Sequence, residues 1–302
     1  MDSEGLKTFV AVHRAGGFSS AAEVLGRSQP AISRRIAQLE DDLQAPLFER
    51  AAGGVVLSQA GRVLLPRAER VLAALQDASQ AIAALRSGQG GPVALAAVGT
   101  LASTGLTGAL KAFAERFAKV ELSLQTATSA EVSDLVRRGD VTVGLRYLMD
   151  ASPDLVCERI GVERLAVAAP PGHRLAGRRV ASLLELKDEP WFAFADVDRR
   201  AEPSARNIFA QFLLRGVGDL RWTPVDSLTA QKRLVEAGFG LALMPVSATA
   251  EERAAGSLAL IEVDDLDAAT IVTLVVRKGG YLSPAALDLC ERLRAEPFFA
   301  AS

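Results

Sequence analysis

The sequence predicts an α/β protein with an all-α-rich amino terminus, and three features of its pattern predict this fold class. Up to residue 87, apolar residues recur mainly at helical spacing, with one short hairpin pattern among them. A glycine-rich break, SGQGGP, follows at residues 87–92. Beyond the break, strand-like and helix-like segments alternate along the rest of the chain, which is typical of an α/β fold.

The composition is that of an ordinary globular protein. The chain has 302 residues, of which 49% are apolar and 23% are charged, and this length predicts about two domains with a sizeable core. No apolar run reaches the roughly 18–20 residues that span a bilayer, and the amino terminus MDSEGLK is acidic where a signal peptide would be basic. We therefore expect a cytoplasmic protein with no membrane partner.

Charge and cysteine content narrow the classes of function. The net charge of −2 argues against a uniformly basic protein that coats nucleic acid, so DNA binding would depend on where particular charges lie. Cys157 and Cys290 are far apart, which favours buried structural thiols over a disulfide scaffold or a redox pair. With only His13 and His173 as histidines, no metal or other cofactor is expected.

The first two helices are short. One begins near Ser3 and is stopped by Gly16 and Gly17, with a single apolar stripe that would pack in the core. That stripe consists of Leu6, Phe9, Val10 and His13. In the second helix, Ser20 and Glu23 have the spacing of a capping box, and Gly26 ends the helix after about two turns.

A third helix follows after a tight turn, with Ser28 as its cap and Pro30 in its first turn. Its buried stripe is predicted to be Ile32, Ile36, Leu39 and Leu43. Pro30, Arg34 and Ala37 point the opposite way, with Ser33 on the flank. Two short helices in this order are typical of a helix-turn-helix, although simple packing is the alternative for any isolated helical pair.

Two short strand patterns, PLFER and VVLS, flank the turn AAGG and predict a hairpin that would form a wing. A long helix then begins with Ser58 as its cap, and Pro66 predicts a kink near its start. Its apolar residues repeat at intervals of four and three, which makes a heptad seam and predicts a partner helix. A helix that lies on its own domain is the alternative. The seam consists of Leu64, Ala68, Val71, Leu75, Ala78, Ile82 and Leu85.

The region from residue 92 to 302 contains alternating strand and helix patterns that predict parallel sheets in two lobes. The predicted strands are PVALAAV, VELSLQTA, VTVGLR, RLAVAAP, WFAFA, LRWTPV, FGLALMP and TIVTLVVR. The predicted helices are STGLTGALKAFAERFA, SAEVSDLVRRG with Ser129 as its cap, EPSARNIFAQFLLRG, SLTAQKRLVEAG and PAALDLCERLRAE.

These motifs together resemble the LysR-type transcriptional regulators. The run FSSAAEVLGRSQPAISRRIAQLEDDLQAPLFER, followed by VVLSQAGRVLLP, carries the resemblance, which covers essentially the whole chain. It implies a winged helix-turn-helix at residues 1–58, a dimerising linker helix at 59–88 and a two-lobed effector domain at 89–302, of the type 2 periplasmic-binding-protein kind. Lobe 1 would comprise 92–162 and 266–302, and lobe 2 would comprise 163–265.

The resemblance also implies partners. A double-stranded DNA operator and a small-molecule effector are expected, with assembly into a homodimer or homotetramer and RNA polymerase as a further partner. Carried over to this chain, the residues that read base edges are Gln29, Pro30, Ser33 and Arg34. Arginine can grip guanine, glutamine can pair with adenine, and proline can touch a thymine methyl group. The residues that would contact phosphates are Ser19, Ser28, Arg35 and Arg50.

One departure from the family concerns the wing. Its tip commonly carries arginine or lysine in the family, whereas this chain has AAGG there. A wing without charged side chains should insert less strongly into a minor groove, so Arg50 is the main wing contact that remains.

The effector is expected in the cleft between the lobes, where strands end, helices begin and backbone N–H groups favour anions. The candidate contacts are Thr100, Ser103, Thr128, Ser129, Arg146, Phe194, Ser227 and Thr229. Each hydroxyl taken alone could equally be a helix cap, and Arg146 could pair with an internal carboxylate instead of an anionic effector.

Two other classes of function fit the sequence less well. An enzyme is disfavoured because the sequence contains no phosphate loop, no Gly-x-Ser-x-Gly elbow, no His-Glu-x-x-His motif and no plausible Cys–His pair. A solute-binding protein for transport would explain the lobes, but it would need a signal peptide and would have no use for a recognition helix. A transcriptional regulator switched by a small, anionic metabolite is therefore the leading hypothesis.

Overall fold

Three helices and a two-stranded hairpin form the amino-terminal part, which we call the winged unit. The structure is a computed structural model that describes residues 1–51, 54–87, 90–102, 104–194 and 208–295. The hairpin is antiparallel, which confirms the predicted winged helix-turn-helix, while its tip at Ala52 and Gly53 lies outside the described residues. The elements are α1 (Ser3–Ala15), α2 (Phe18–Val24), α3 (Gln29–Leu43), β1 (Phe48–Ala51) and β2 (Gly54–Leu57).

The caps of these helices differ in part from the prediction. Helix α1 ends as predicted, because Gly16 adopts the left-handed conformation with φ 69°. The predicted capping box of Ser20 and Glu23 is wrong, since α2 begins at Phe18 with Gly17 in the cap position and Ser20 therefore lies inside the helix. Ser28 precedes α3 as predicted, but its side chain makes no capping hydrogen bond.

Aromatic side chains fill the core of the winged unit. The Phe48 ring lies between Phe9 and Phe18, with centroid distances of 5.3 and 5.8 Å. Two residues predicted to be buried are exposed. Val12 turns to the core in place of His13, and Leu43 ends α3 where the chain turns away through Gln44 at φ 51°.

The linker helix, α4 (Gln59–Ser87), is tied to the winged unit at its first turn. The Ser58 hydroxyl accepts from the Gly61 amide at 3.0 Å, as a cap should, and donates to the Pro46 carbonyl oxygen at 2.6 Å. Gly61 packs so closely on the Leu47 carbonyl that a Cβ atom would overlap with it. The sequence SQAG is therefore a joint between helix and hairpin. The helix continues without interruption through Pro66.

Only part of the predicted seam of α4 is open to a partner. Ala68 is fully buried in the winged-unit core, and Leu64 packs against the same core, so these two residues are covered by their own chain and the prediction for them is corrected. The other seam residues, Val71, Leu75, Ala78, Ile82 and Leu85, are exposed.

Lobe 1 is a five-stranded sheet in the order β4, β3, β5, β12, β6. Its strands are β3 (Val93–Val98), β4 (Leu122–Ala127), β5 (Val143–Tyr147), β12 (Ala269–Arg277) and the first part of β6 (Leu155–Ala169). Its helices are α5 (Thr104–Arg116), α6 (Ser129–Arg138) and α10 (Pro284–Ala295). The core between sheet and helices contains Phe113, Leu145 and Leu289.

Lobe 2 is built on the second part of β6. Its other strands are β7 (Arg179–Val180), β8 (Trp191–Ala193), β9 (Trp222–Pro224), β10 (Leu241–Pro245) and β11 (Ala259–Val263). Its helices are α7 (Ile208–Leu213), α8 (Leu228–Glu236) and α9 (Ala250–Ala254). The Trp191 ring packs edge-on against Phe212 at 5.5 Å and donates from its indole N–H to the Leu186 carbonyl oxygen.

The sheets are mixed, which corrects the prediction of parallel sheets. Strands β3, β4 and β5 are parallel, as are β8, β9 and β10, but β12 and β6 run antiparallel to their neighbours. Strand β6 begins nine residues earlier than the predicted RLAVAAP strand and is shared by both lobes. Nine of its first ten residues pair with β12, with Ile160 at an irregularity in the register, and its last five pair with β10 and β11.

The linker helix also packs against lobe 1. Asp77 accepts from Arg277 at 2.6 Å and from the Tyr281 amide at 3.2 Å. Ala73 lies so close to Gly139 that a Cβ atom there would sit 3.2 Å from the alanine methyl group. In the glycine-rich break, Gly90 has φ 101° and packs on Ala285, while Gly88 and Gln89 lie outside the described residues. Among the described helices, none is both long and apolar enough to cross a membrane.

Replacing Gly61 by alanine should destabilise the chain, because the added methyl group would collide with the Leu47 carbonyl. Overpacking of this kind costs about 1–3 kcal/mol. Gly108→Ala is the matched control, since Gly108 also lies in a helix and nothing stands within 4 Å of the methyl group it would gain. It should instead stabilise the chain by about 0.5–1 kcal/mol. Thermal melts followed by circular dichroism measure both, and equal shifts in melting temperature would contradict the joint at Gly61.

Candidate nucleic-acid interface and interlobe cleft

The amino end of α3 presents a small polar surface to solvent. Ile32, Ile36 and Leu39 are buried and fix the rotation of the helix. Gln29, Pro30 and Arg34 are exposed on the outer side, and Ser33 is partly exposed beside them. The Gln29 side-chain amide donates to the Ser33 hydroxyl at 2.9 Å, which aligns the two polar groups along one ridge. This surface has the donors and acceptors that base edges require.

The residues predicted to contact phosphates are open to solvent. Ser19, Ser28, Arg35 and Arg50 are all exposed on the winged unit. Arg35 forms an ion pair with Asp2 at 3.2 Å, so a phosphate would have to compete with that carboxylate. Arg27, which no sequence motif singles out, is a further exposed arginine in the turn just before α3, directly ahead of the cap residue Ser28.

The acidic run at the other end of α3 is used within the fold. The Glu40 carboxylate accepts from the backbone amides of Leu47 and Phe48, at 2.6 and 3.4 Å, which ties the helix to the wing. Asp42 pairs with the amino-terminal ammonium group, and this hydrogen bond holds the pKa of Asp42 below its usual value. Two of the three acidic charges therefore have local partners, about two turns from the polar ridge.

The topology brings the predicted effector residues to two facing edges. In lobe 1, the parallel strands β3, β4 and β5 end near Thr100, Thr128 and Tyr147. In lobe 2, the parallel strands β8, β9 and β10 end near Phe194, Ser227 and Ser247. A hydrogen-bonded chain through Glu163 of β6 joins Tyr147 to Ser247, so the two edges meet at this point. Ser103 lies outside the described residues.

A chain of polar side chains, buried except for the partly buried Ser247, lies where the two edges meet. The Thr100 and Tyr147 hydroxyls are 2.7 Å apart, and the Tyr147 hydroxyl donates to the Glu163 carboxylate through a short hydrogen bond. The Ser247 hydroxyl donates to the other carboxylate oxygen at 2.5 Å. Tyr147, Glu163 and Ser247 could not be predicted from the sequence, because no motif marks residues that lie so far apart along the chain.

Several predicted effector residues already have structural partners. Helix α6 is capped by Thr128, whereas Ser129 was the predicted cap. Thr128 forms a capping box with Glu131, and the hydrogen bond from the Thr128 backbone amide to the Glu131 carboxylate lowers the Glu131 pKa. The Ser129 hydroxyl instead accepts from the Tyr147 amide at 3.3 Å. Ser227 caps α8. Thr229 and Phe194 are exposed.

Arg146 is buried and paired inside lobe 1. Only 4% of the residue is exposed, and its guanidinium donates to Ser133 at 3.2 Å and pairs with Asp150 at 3.0 Å. Burial would raise the pKa of Asp150, but hydrogen bonds from Ser152 and Ser133 and the charge of Arg146 outweigh it and lower that pKa to about 2. Of the two predicted roles for Arg146, the structure therefore favours the internal ion pair.

The two cysteines are free thiols in protected positions. Cys290 is buried in the lobe 1 core, where burial raises its pKa to about 11. Cys157 lies on β6 and is partly buried, which also raises its pKa. A raised pKa lowers the fraction of reactive thiolate, so both residues fit the structural alternative.

Comparison with known proteins matches both parts of the chain to one family. Residues 3–62 match the bacterial regulatory helix-turn-helix protein, lysR family, and residues 86–297 match the LysR substrate binding domain. The HTH-type transcriptional regulator CbbR of Rhodospirillum rubrum is 28% identical over 292 residues, which cover 96% of this chain and 95% of CbbR.

Solved structures of full-length regulators have the same architecture. CbnR, a LysR family transcriptional regulator, superposes with a TM-score of 0.65 at 26% identity, covering 98% of this chain and 99% of CbnR. Full-length CbnR in complex with its target DNA superposes with a TM-score of 0.63 at 25% identity, covering 98% of this chain and all of that one. The fold of winged unit, linker helix and two lobes is therefore a known arrangement.

The pair of Arg146 and Asp150 predicts a pH dependence of stability. Because folding lowers the Asp150 pKa from 3.8 to about 2, the ionised carboxylate stabilises the fold above about pH 4, and this contribution is lost as the pH falls towards 2. Its size is about 2 kcal/mol. The melting-temperature difference between the native chain and Asp150→Asn should therefore be largest near neutral pH and shrink below pH 4.

Asp134→Asn is the control, because Asp134 is exposed on α6 and forms a solvent-screened pair with Arg137. Its melting-temperature difference should stay small throughout. A pH-independent difference for Asp150→Asn would contradict the assignment.

Proposed function

This chain belongs to the LysR family of transcriptional regulators, and from that premise we propose how it binds DNA, assembles and responds to an effector. As a member, it is a DNA-binding regulator of transcription and not an enzyme. The observation that carries the proposal is the exposed polar ridge at the amino end of α3, fixed in rotation by its buried stripe. Through this ridge α3 would enter the major groove of a double-stranded operator.

The ridge residues would read base edges. Arg34 would grip guanine O6 and N7 through its guanidinium group, and Gln29 would pair with adenine or orient Ser33, to which it already donates. Pro30 offers an apolar contact for a thymine methyl group. These four residues, Gln29, Pro30, Ser33 and Arg34, are the proposed sequence-reading set.

Phosphate contacts would set the register of the protein on DNA. We assign them to Ser19, Ser28, Arg35 and Arg50, and we add Arg27 because it is exposed beside the start of α3. The charge-poor wing tip AAGG leaves Arg50 on β1 as the main wing contact. The positive charges of Arg27, Arg35 and Arg50 would make affinity depend on salt.

Assembly would occur through the open part of the linker-helix seam. Val71, Leu75 and Ile82 are exposed apolar side chains on one helix, and a second copy of the same helix is the partner that buries them symmetrically. Such a dimer would present two copies of α3 to a pseudo-palindromic operator with half-sites about 34–36 Å apart. A homotetramer would be a pair of these dimers.

The effector would be a small, anionic metabolite bound between the lobes. The amino ends of α6 and α8 lie at the facing edges, where backbone N–H groups and the helix dipole favour negative charge. Because Arg146 is paired internally, recognition would depend on Ser129, Ser227 and backbone donors and not on a free guanidinium group. Effector binding would then change the contact with RNA polymerase or with the operator by shifting the populations of lobe arrangements.

Arg34 and Arg35 should differ in how they contribute to DNA binding. The preferred sequence is first selected from random duplex DNA with the native chain. Arg34→Ala should then weaken binding to that sequence by about 1–3 kcal/mol and relax one base position. Arg35→Ala should weaken all sequences alike and lower the slope of log affinity against log salt by about 1.

The two variants are matched, since they remove neighbouring guanidinium groups that are both exposed on α3. Fluorescence anisotropy with the selected and a scrambled duplex, at several salt concentrations, measures both effects. An Arg34→Ala variant with unchanged selectivity would refute the base-reading assignment.

A charge in the seam should separate the dimer. Leu75→Glu places like charges opposite each other in a helix pair, so the chain should sediment as a monomer at concentrations where the native chain is a dimer. Leu287→Glu is the control, because Leu287 is comparably exposed on α10, outside the seam. Analytical ultracentrifugation decides between the outcomes, and a Leu75→Glu variant that stays dimeric would refute the seam.

A further inference from the structure

The arginines assigned to phosphates differ in what lies next to their guanidinium groups. Arg35, on the flank of α3, donates to the Asp2 carboxylate at 3.2 Å. Within the part of the chain that the structure describes, no carboxylate forms an ion pair with Arg27 or Arg50. One of the three positive charges available for phosphates is therefore already partly balanced inside the winged unit.

The Asp2 carboxylate is fixed in place by a second hydrogen bond. Asp2 is the cap of α1, and its Oδ1 accepts from the Gly5 amide at 2.7 Å while its Oδ2 accepts from Arg35. Gly5 lets this turn lie against α3, because a Cβ atom there would stand 3.0 Å from the carboxylate and 3.6 Å from Leu39. An exposed ion pair usually loses much of its worth by ordering two mobile side chains. Here the cap has already ordered one of them.

The positive charge at the start of α3 extends over the whole first turn of α1. The hydrogen bond and the charge of Lys7 are the main causes of a lowered Glu4 pKa, and the charges of Arg35 and Arg27 lower that pKa further. Glu4 has its own partner, since Lys7 donates to it at 2.8 Å. Two carboxylates thus lie beside these arginines, and Asp2 is the one bonded to Arg35.

We propose that Asp2 is an internal counter-ion of Arg35 that lowers the affinity of the chain for DNA of every sequence alike. A phosphate that binds Arg35 must displace this carboxylate or approach its negative charge, and either event removes part of the attraction. The inference rests on the proposed function, in which Arg35 contacts a phosphate. It adds a residue that limits DNA binding, in a turn that reads no base.

Asp2→Asn tests the counter-ion, because asparagine also caps helices but carries no charge. Affinity for the selected and the scrambled duplex should rise by the same factor, about 2- to 5-fold at low salt. The slope of log affinity against log salt should become steeper by up to about 1, since Arg35 then neutralises a phosphate with its full charge. Fluorescence anisotropy with the full chain measures both effects. Asp2→Ser, which caps through its hydroxyl group, should give the same gain.

The gain should depend on Arg35. In an Arg35→Ala background, Asp2→Asn should lose most of its effect, whereas in an Arg50→Ala background it should keep all of it, because Arg50 is not paired with Asp2. Asp41→Asn is the matched charge control, since it makes the same change in net charge at an exposed residue near the carboxyl end of α3. It should leave affinity almost unchanged.

Unchanged or lower affinity in Asp2→Asn, or an equal gain with and without Arg35, would overturn the counter-ion. Arg35→Ala alone separates this failure from failure of the proposed function. If Arg35→Ala weakens binding to both duplexes while Asp2→Asn has no effect, the phosphate contact stands and the counter-ion is wrong. If Arg35→Ala has no effect, the phosphate assignment of Arg35 is wrong, and the counter-ion is wrong with it.

Discussion

The carboxy-terminal half of the molecule depends on one strand that belongs to both lobes. Strand β6 runs for 15 residues, pairs with β12 over its first part and with β10 and β11 over its last five residues. Because side chains alternate between faces at every residue, its register fixes which residues reach the junction. Glu163 arrives there opposite Thr270, and the facing ends of the parallel strands supply Tyr147 and Ser247. The cleft is a consequence of this shared strand.

Local features of the fold could be predicted well from the sequence. The winged unit, the cap at Ser58, the end of α1 at Gly16 and most strands follow from caps, glycines and apolar spacing within a few residues. The errors are also local. When an apolar stripe is wide, helical periodicity cannot distinguish which of two adjacent residues faces the core. His13 was therefore predicted to be buried, whereas its neighbour Val12 is the buried residue. The sequence pattern of a capping box is only two residue types at a fixed spacing. Ser20 and Glu23 match this pattern by chance, without capping the helix.

Features that join distant residues could not be predicted. The antiparallel pairing of β6 with β12 brings together segments more than one hundred residues apart, and alternation of helices and strands favours parallel neighbours instead. The partners of Glu163 lie 16 and 84 residues away in the sequence. Arg146 illustrates the same limit, because its choice between a ligand and Asp150 depends on the turn after β5. The family resemblance predicted a cleft between the lobes. The polar residues where the lobes meet could not be predicted, because only the packing of the fold brings them together.

The close packing around the glycine-rich break has a mechanical consequence. Gly90 against Ala285 and Gly139 against Ala73 leave no room for side chains, and Asp77 adds a charged anchor between them. Helix α4 is therefore clamped to lobe 1 from its middle, at Ala73 and Asp77, and jointed to the hairpin at its first turn. The segment from Gln59 to Ala73 is about 21 Å long, so a tilt of about 10° at the clamp would carry the first turn by about 4 Å. The helix acts as a stiff lever that amplifies small rotations of lobe 1 into displacements comparable to the rise of one base pair.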